Sequence, residues 1–322
     1  MQTKRQDDGR MSIGAMEEEI SNQALDLPRF ASQLRQKHRP KLEWSSLVFA
    51  GSGDSYAAAV FAQELSHGEA IASDPYELLT NIQRVRGKSL VILSVSGRTR
   101  TNIELARKAK RIAAKIIAIT ANHESPLARE CDETLQLRYR YAGRLTSGTV
   151  AFTTSLLACA FLLGNLPRAI QLGTTLAAAN RWTRNLNPGE KKSFVFIGSG
   201  INYALSLYGA AKINEVLGAK AQAAYPEQLG HAMLFSVNEE HDLIVCLSNG
   251  RDKARQVYEL LRKNDFQSSI LMISENDAVL QSLKIAIYLQ HLPLAIAKRK
   301  RMAECDFLSE RTKLNLSNKM IY

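Results

Sequence analysis

Cysteine is scarce in this chain of 322 residues, which holds only four. None of the four forms a CxxC pair or has a neighbouring histidine. This scarcity argues against a disulfide framework and against a zinc site, so we expect no metal ion. A reducing cytoplasm is the location that such cysteine usage favours.

Long apolar runs are also missing. Residues 1–10 mix charges and lack the apolar core of a signal peptide, and no later run reaches the roughly 20 apolar residues that span a bilayer. The nearest approach is the stretch at 150–164, which is apolar on all sides and predicts a helix buried inside the protein. We therefore expect no membrane role.

Two common anion-binding patterns are absent. There is no GxxxxGK[ST] motif, and GSGDSY at 51–56 lacks the third glycine of GxGxxG, which argues against a P-loop protein and a nicotinamide enzyme. Acidic residues are outnumbered 31 to 42, and the resulting net charge of +11 favours anionic partners, equally phosphorylated metabolites and nucleic acid. The basic run at 298–301 has no interleaved aromatics, so we interpret it as a solvated helix end and expect no nucleic acid.

What the sequence does contain is a repeat. VFAGSGDSYAAAVF at 48–61 returns as VFIGSGINYALSLY at 195–208. In each half a β-branched run, a small polar turn, an amphipathic helix and another strand follow, at 89–120 and at 242–274. Continuous apolar strands that alternate with helices predict a parallel sheet covered on both faces. The predicted fold class is α/β, with two tandem doubly wound parallel-sheet domains of the flavodoxin-like type.

The repeat sets the predicted domain boundaries. A Pro-Gly break at 186–192 separates the two halves. We place a helical arm at 1–40, a first domain at 41–185, a second domain at 186–290, and a C-terminal helix and tail at 291–322.

Hydroxyl groups gather on two strand-to-helix turns of the first half. They belong to Ser52, Ser55, Ser94, Ser96 and Thr99. Because the carboxyl ends of parallel strands meet at one edge, where helix N-termini present free N–H groups, this cluster predicts a phosphate site. The alternative is that these side chains merely cap their helices. The second half has Ile201 and Asn202 where the first has Asp54 and Ser55, so we do not expect it to bind phosphate.

The second half carries ionisable groups instead. Lys212 and Glu215 are one helical turn apart and share a face, and His231 follows sixteen residues after Glu215. On the residues alone, a surface ion pair and a structural histidine are the simpler interpretation.

Together these stretches resemble the sugar isomerase (SIS) family, in particular the isomerase half of glutamine:fructose-6-phosphate amidotransferase and the glucosamine-6-phosphate deaminases. The resemblance rests on the order and spacing of six motifs, which are MEEEISNQ (16–23), GSGDSY (51–56), SVSGRTRTN (94–102), GTVAFTT (148–154), GAAKINEVLG (209–218) and EQLGHA (227–232).

The resemblance implies roles for individual residues. The sugar phosphate would be held by Ser55, Ser94, Ser96 and Thr99. Lys212 would lie near the sugar, Glu215 would move a proton between C1 and C2, and His231 of a partner subunit in a homodimer would assist ring opening. A lysine near the C-terminus also enters the site in this family, for which Lys319 or Lys313 is available. The family needs no cofactor for this chemistry.

Four stretches depart from the family pattern, one of which is LGHAM at 229–233 in place of LKHGP. Asp54 replaces a threonine or serine, Arg98 replaces a glutamate, and Gly148 replaces a serine. We expect Asp54 to contact a sugar hydroxyl, because a carboxylate next to a phosphate is repelled. We expect Arg98 to contact the phosphate. Ser147 is then available to take over the lost serine contact.

The expected function is that of a phosphosugar isomerase or deaminase. The favoured reaction converts glucosamine 6-phosphate to fructose 6-phosphate and ammonia. Gln2, not cysteine, follows Met1, so glutamine-dependent amination by this chain alone is not expected. The alternative is a non-catalytic sensor that binds a sugar phosphate in the same place, since a fold does not determine a function.

Overall fold

A computed structural model describes residues 11–186 and 191–322. Residues 1–10 of the predicted arm and 187–190 of the predicted Pro-Gly break lie outside these ranges. The helices are α1 (Ser12–Arg35), α2 (Asp54–Leu65), α3 (Pro75–Thr80), α4 (Arg100–Ala109), α5 (Pro126–Glu130), α6 (Val150–Leu163), α7 (Gly173–Leu186), α8 (Ile201–Leu217), α9 (Pro226–His231), α10 (Lys253–Lys263), α11 (Ala278–Arg299), α12 (Asp306–Ser309) and α13 (Arg311–Ile321). The strands are β1 (Leu47–Ala50), β2 (Ile71–Ser73), β3 (Ser89–Leu93), β4 (Lys115–Thr120), β5 (Glu133–Gln136), β6 (Ser193–Ile197), β7 (Lys220–Ala224), β8 (Asp242–Ser248) and β9 (Ser268–Met272).

The strands form two separate parallel sheets. The first has the order β2-β1-β3-β4-β5 and the second β7-β6-β8-β9. Alternate residues of the central strands enter different hydrophobic clusters, as Phe49 and Val48 do in β1. Side chains of successive strand residues point to opposite faces, so both faces of the first sheet are packed. The predicted α/β class with two parallel sheets is confirmed.

One large core joins the two sheets. It contains Phe49 of the first sheet, Phe196 of the second, and apolar residues of α1, α2, α6, α8 and α11. All 14 residues of α6 are buried, which confirms the prediction of a helix enclosed by protein. The repeated halves therefore pack against each other through their first helices.

The expectation that no segment is long enough to cross a membrane was too strong. Among the described residues, α11 is long and apolar enough to cross a membrane by length and composition alone. However, 67% of its most apolar stretch is buried inside the protein. A buried core helix meets the same criterion. This helix also runs through position 290, where the second domain was predicted to end.

The two GSG turns have the same backbone. Gly53 and Gly200 precede the first helical residue at φ 59° and 57°, in the left-handed region that favours glycine. A Cβ on Gly51 would lie 2.6 Å from the main chain of Ser55, and one on Gly198 would lie 2.4 Å from the carbonyl oxygen of Asn202. Both strands thus pass directly beneath the start of the following helix, and only glycine permits it.

Helix α1 is bound to the core through buried polar groups. Thr149 Oγ1 donates to Glu19 Oε2 at 2.8 Å, and Thr153 Oγ1 donates to Gln23 Oε1 at 2.7 Å. Gln23 in turn donates to Gln290 of α11 at 2.6 Å. Buried polar groups of this kind stabilise only while every partner is present. The segment predicted as an arm therefore supports the start of α6 from behind.

Glu19 gives the fold a pH dependence that can be measured. Burial, partly offset by the hydrogen bond from Thr149, raises the pKa of Glu19 from 4.5 to about 7. The folded protein thus holds a proton that the unfolded chain releases between these pH values, and its stability falls as pH rises through this window. We expect Glu19→Gln to reduce that loss by up to about 3 kcal/mol. Urea unfolding at several pH values measures it; an unchanged slope would contradict the assignment.

Candidate functional site

A cavity of about 710 Å³ opens at the carboxyl edge of the first sheet. Its walls come from the segments that follow β1, β2 and β3, from the connection before α6, from α8, and from the last three residues. Ligands of open parallel sheets bind at this edge. The lining residues are Ser52, Gly53, Asp54, Ser55, Asp74, Tyr76, Leu93, Ser94, Val95, Ser96, Thr99, Thr101, Asn102, Tyr141, Leu145, Glu215, Met320, Ile321 and Tyr322.

The hydroxyl groups predicted from the two turns all line this cavity. They are those of Ser52, Ser55, Ser94, Ser96 and Thr99. Helix α2 has Gly53 as its N-cap and α4 has Thr99, and neither cap residue bonds its helix through a side chain. The N-termini of two helices, which are 12 and 10 residues long, therefore face the cavity. The side-chain capping that was the alternative interpretation is not formed by either cap residue. The arrangement can bind an anion through N–H and hydroxyl groups.

Four other predicted residues stay outside the cavity wall. Arg98 is exposed and does not line the cavity. His231 ends α9 on the exposed surface, away from the wall of its own chain. Lys319 is exposed and precedes lining residue Met320, whereas Lys313 lies 3.8 Å from Glu310 in an exposed ion pair. None of the described lining residues is a lysine or an arginine.

Lys212 lies buried behind the cavity and bonds three acceptors. Its Nζ is 2.7 Å from Asp54 Oδ2, 2.9 Å from Ser147 Oγ and 2.5 Å from Glu215 Oε2. An ammonium has three donors, so this set uses all of them. The Lys212 side chain is 0% exposed, while that of Glu215 is 38% exposed. The predicted pair is therefore not a surface ion pair; its lysine joins α8 to the GSG turn of the other half.

The charges around Lys212 keep it protonated. Burial by itself would lower the pKa of Lys212, but Asp54 and Glu215 outweigh burial and hold the pKa above its usual value. The Tyr208 ring adds a favourable contact, with its centroid 5.3 Å from Nζ. A saturated, buried ammonium cannot act as an imine-forming nucleophile without breaking these bonds. The geometry fits a positioning role for Lys212.

Asp54 turns its carboxylate toward Lys212. Burial raises its pKa from 3.8 to about 7, with Lys212 opposing the rise and Glu215 adding to it. Its Oδ2 bonds Lys212, whereas its buried Oδ1 has no hydrogen-bond partner among the described residues. Asp54 also lines the cavity. The contact of Asp54 with a sugar hydroxyl stays a prediction, since Oδ1 itself is buried.

Ser147 links the two charged groups. Its Oγ accepts from Lys212 and donates to Glu215 Oε2 at 2.6 Å. It does not itself line the cavity, so its predicted contact with substrate is not part of this geometry. Ser147 instead orients the carboxylate of Glu215, which does line the cavity.

Several lining residues were missed in the sequence. Asp74 and Tyr76 follow β2, a strand of only three residues that carries little pattern. Asn102 is 1% exposed and its Oδ1 also lacks a partner among the described residues. Its place in the first turn of α4, next to Thr99, was the available signal. Tyr141 comes from an irregular segment and residues 320–322 from the end of α13, and only the tertiary fold brings them here.

The corresponding turns of the second half are closed by their own side chains. Asn202 Nδ2 donates to Asn249 Oδ1 at 2.9 Å. Ser248 Oγ donates to Asp252 Oδ1 at 2.8 Å, and Asp252 caps α10. The side-chain bonds of the first half are longer: Ser94 Oγ lies 3.4 Å from Thr99 Oγ1, and Ser96 Oγ accepts from the Arg98 N–H at 3.3 Å. The shorter bonds of the second half leave its groups less available to an anion. Among the described residues, no group of three or more His, Cys, Asp or Glu side chains is placed to hold a metal ion.

Comparison with known proteins identifies the part of the chain that forms the cavity edge. The family model described as SIS domain matches residues 42–164. These residues are a SIS domain. The match runs from the segment before β1 to the end of α6 and thus includes both hydroxyl turns of the cavity.

Relatives extend the likeness beyond the SIS domain. Glutamine–fructose-6-phosphate aminotransferase [isomerizing] of Sulfolobus acidocaldarius is 25% identical over 266 residues, which cover 76% of this chain and 43% of that protein. The chain spans about half the length of the curated relatives it matches.

Solved structures are similar over most of the chain. Glucosamine-6-phosphate deaminase of Thermotoga maritima has a TM-score of 0.74 at 19% identity, covering 89% of this chain and 95% of that one. The C-terminal domain of glucosamine-fructose-6-phosphate aminotransferase of Francisella tularensis has a TM-score of 0.70 at 18% identity, covering 89% and 96%. At such identities the likeness shows the fold, and it includes the second half of the chain.

Removing the Lys212 ammonium tests its role in the structure. Lys212→Met leaves two carboxyl groups, those of Asp54 and Glu215, without the cation that bonds both, so we expect a loss of about 3–5 kcal/mol in the free energy of unfolding. Lys298→Met is the matched control, because Lys298 and Glu17 form an ion pair that is half exposed on both sides. Its expected loss is below about 1 kcal/mol. Equal losses in urea unfolding would show that Lys212 does not organise the site.

Proposed function

We propose that the chain is an enzyme of phosphosugar metabolism that isomerises or deaminates a sugar phosphate, with glucosamine 6-phosphate as the first candidate substrate. The products would be fructose 6-phosphate and ammonia. One observation carries the proposal: the carboxylate of Glu215 lies on the wall of the same cavity as the open hydroxyl turns. An anion site and an acid-base group thus share one space of about 710 Å³, large enough for a sugar phosphate.

The phosphate would bind at the two helix N-termini. Ser52 and Ser55 of the first turn and Ser94, Ser96 and Thr99 of the second are the donors available to it. Because no cationic side chain lines the cavity among the described residues, the N–H groups and helix dipoles must balance the phosphate charge. This site would anchor the open-chain sugar at one end and leave its C1–C2 end free for chemistry.

Glu215 would carry the proton between C2 and C1. Its carboxylate removes the C2 proton of the open-chain aldose, and the C–H electron pair becomes the C1–C2 double bond while O1 takes a proton. Return of the proton to C1 gives a C2 imine when C2 bears nitrogen, and water then releases ammonia. If C2 bears a hydroxyl, the same steps give a ketose. Lys212 and Ser147 keep the Glu215 carboxylate oriented throughout.

Ring opening requires a further acid-base group. We assign it to His231 of a partner subunit in a cytoplasmic homodimer, which is compatible with the exposed place of His231 at the end of α9. The C-terminal helix brings Met320 to the cavity, so Lys319 is the lysine we assign to the substrate side.

A non-catalytic sensor is the second candidate function. It is favoured by Lys212, which is saturated by protein acceptors and is absent from the cavity wall. A sensor would bind the same sugar phosphate without converting it. Binding and turnover must therefore be measured separately.

Glu215→Gln separates these two functions. For an enzyme we expect the turnover of glucosamine 6-phosphate, measured as ammonia and fructose 6-phosphate released, to fall at least about 100-fold, because the amide cannot accept the proton. Binding, followed by thermal shift with the same ligand, should change little. Binding without turnover by the wild type, across a panel of sugar phosphates, would favour the sensor.

The repeat supplies a matched control for the phosphate site. Ser52 and Ser199 occupy the same position in the two GSG turns, and both are exposed. We expect Ser52→Ala to weaken binding of a sugar phosphate about 10- to 100-fold, since one hydrogen bond to a charged group is lost. Ser199→Ala should leave the affinity unchanged in calorimetry. Equal effects of the two substitutions would place the phosphate elsewhere.

A further inference from the structure

The cavity wall holds a second carboxyl group besides Glu215. Asp54 lines the same cavity, and its Oδ2 is 2.7 Å from the Lys212 ammonium that also bonds Glu215. One cation thus faces two carboxyl groups. Two carboxylates around a single ammonium in a buried setting favour the retention of one proton.

The free oxygen of Asp54 is the place for that proton. Glu215 Oε2 accepts from both Lys212 and Ser147, and its side chain is 38% exposed. Asp54 Oδ1 is buried and has no partner among the described residues. An ionised oxygen without a donor is disfavoured in such a place, whereas a protonated one can donate to a ligand. Burial accordingly raises the pKa of Asp54.

We propose that Asp54 is a second catalytic residue, which protonates the substrate oxygen at C1 while Glu215 removes the proton from C2. The proposal rests on the proposed function and deepens it.

Each proton that the two carboxyl groups exchange with the substrate is returned within one turnover. Asp54 starts protonated and Glu215 ionised. Glu215 takes the C2 proton, O1 takes the Asp54 proton, and an enol with a C1–C2 double bond forms. Glu215 then returns its proton to C1, and the group at C2, an iminium or a protonated carbonyl, gives its proton back to Asp54. Both carboxyl groups end as they began, and water releases ammonia if C2 bears nitrogen.

Gly148 provides the space that Asp54 requires. A Cβ at position 148 would lie 2.7 Å from Asp54 Oδ2, closer than such atoms approach in proteins. The Gly148 carbonyl oxygen accepts from the Tyr208 hydroxyl at 2.8 Å, so a shift of this segment would strain or break that bond. Tyr208 itself stacks on Phe152 at 3.7 Å. The two departures from the family pattern, at positions 54 and 148, are therefore neighbours in space and fit each other.

The pH dependence of turnover distinguishes this role from a structural one. Activity requires Asp54 protonated and Glu215 ionised, so the wild type should lose kcat/KM on the alkaline side as Asp54 ionises. The titratable groups that face Asp54 are Lys212, Glu215 and Tyr208 of α8, and Asp74 and Tyr76 line the same cavity. Burial and the neighbouring carboxylates hold the pKa of Tyr208 well above its usual value, and that of Lys212 is also raised, so neither titrates near neutrality.

The test compares wild type with Asp54→Asn for glucosamine 6-phosphate turnover between pH 5 and 9. We expect kcat to fall at least about 100-fold and KM to change less than about 3-fold. The decrease of kcat/KM on the alkaline side, the alkaline limb of the pH profile, should disappear. If Asp54→Asn retains the limb and most of its activity, the proposal is wrong while the proposed function stands. If the wild type converts no sugar phosphate, the proposed function fails and this role fails with it.

A double substitution tests the fit between positions 54 and 148. Gly148→Ser alone should lower the melting temperature, because its Cβ meets the Asp54 carboxylate. Asp54→Thr combined with Gly148→Ser should recover part of that loss. The double variant also serves if Asp54→Asn does not fold, since it too should lack the alkaline limb. A double variant that keeps the limb would overturn the role of Asp54, and one no more stable than Gly148→Ser would overturn the fit.

Discussion

The ammonium of Lys212 is the group on which the candidate site depends. It lies between Asp54 of the first half, Glu215 of the second, and Ser147 in the connection before α6. Burying one cation between two carboxyl groups is unfavourable unless every donor is used, and here all three are. The bonds thereby fix the distance between the two halves at the cavity, and they set which oxygen atoms face a ligand.

The surrounding fold serves this arrangement. Helices α2 and α8, which begin at the two GSG turns, belong to the shared core, so the turn of one half reaches the helix of the other. Behind them, Glu19 and Gln23 of α1 hold the start of α6, next to Ser147 and Gly148. The two similar halves contribute different parts of the site. The first half supplies the turns that line the cavity, and the second supplies helix α8 with Glu215.

Local sequence patterns predicted much of the fold and, at the cavity, the two hydroxyl turns, Asp54 and Glu215. The repeated strand-turn-helix motif predicted both parallel sheets, and the hydroxyl turns were found because five hydroxyl residues cluster where two neighbouring parallel strands end. Strand β2 was missed, since three residues are too few to show a periodicity. Asp74 and Tyr76 were therefore missed with it. The burial of Lys212 could not be predicted from the sequence either. Helical spacing shows that Lys212 and Glu215 are neighbours, but it does not show that Asp54 of the other half contacts Lys212.

A crystal structure with a bound sugar phosphate would show whether the two hydroxyl turns hold the phosphate and whether Lys212 stays bonded to the protein. We expect phosphate oxygens against Ser55, Ser94 and Thr99, the C1–C2 bond beside the carboxylate of Glu215, and Lys212 still bonded to Asp54. A sugar held with its phosphate elsewhere, or with Lys212 released from Asp54 and turned to the sugar, would contradict this expectation.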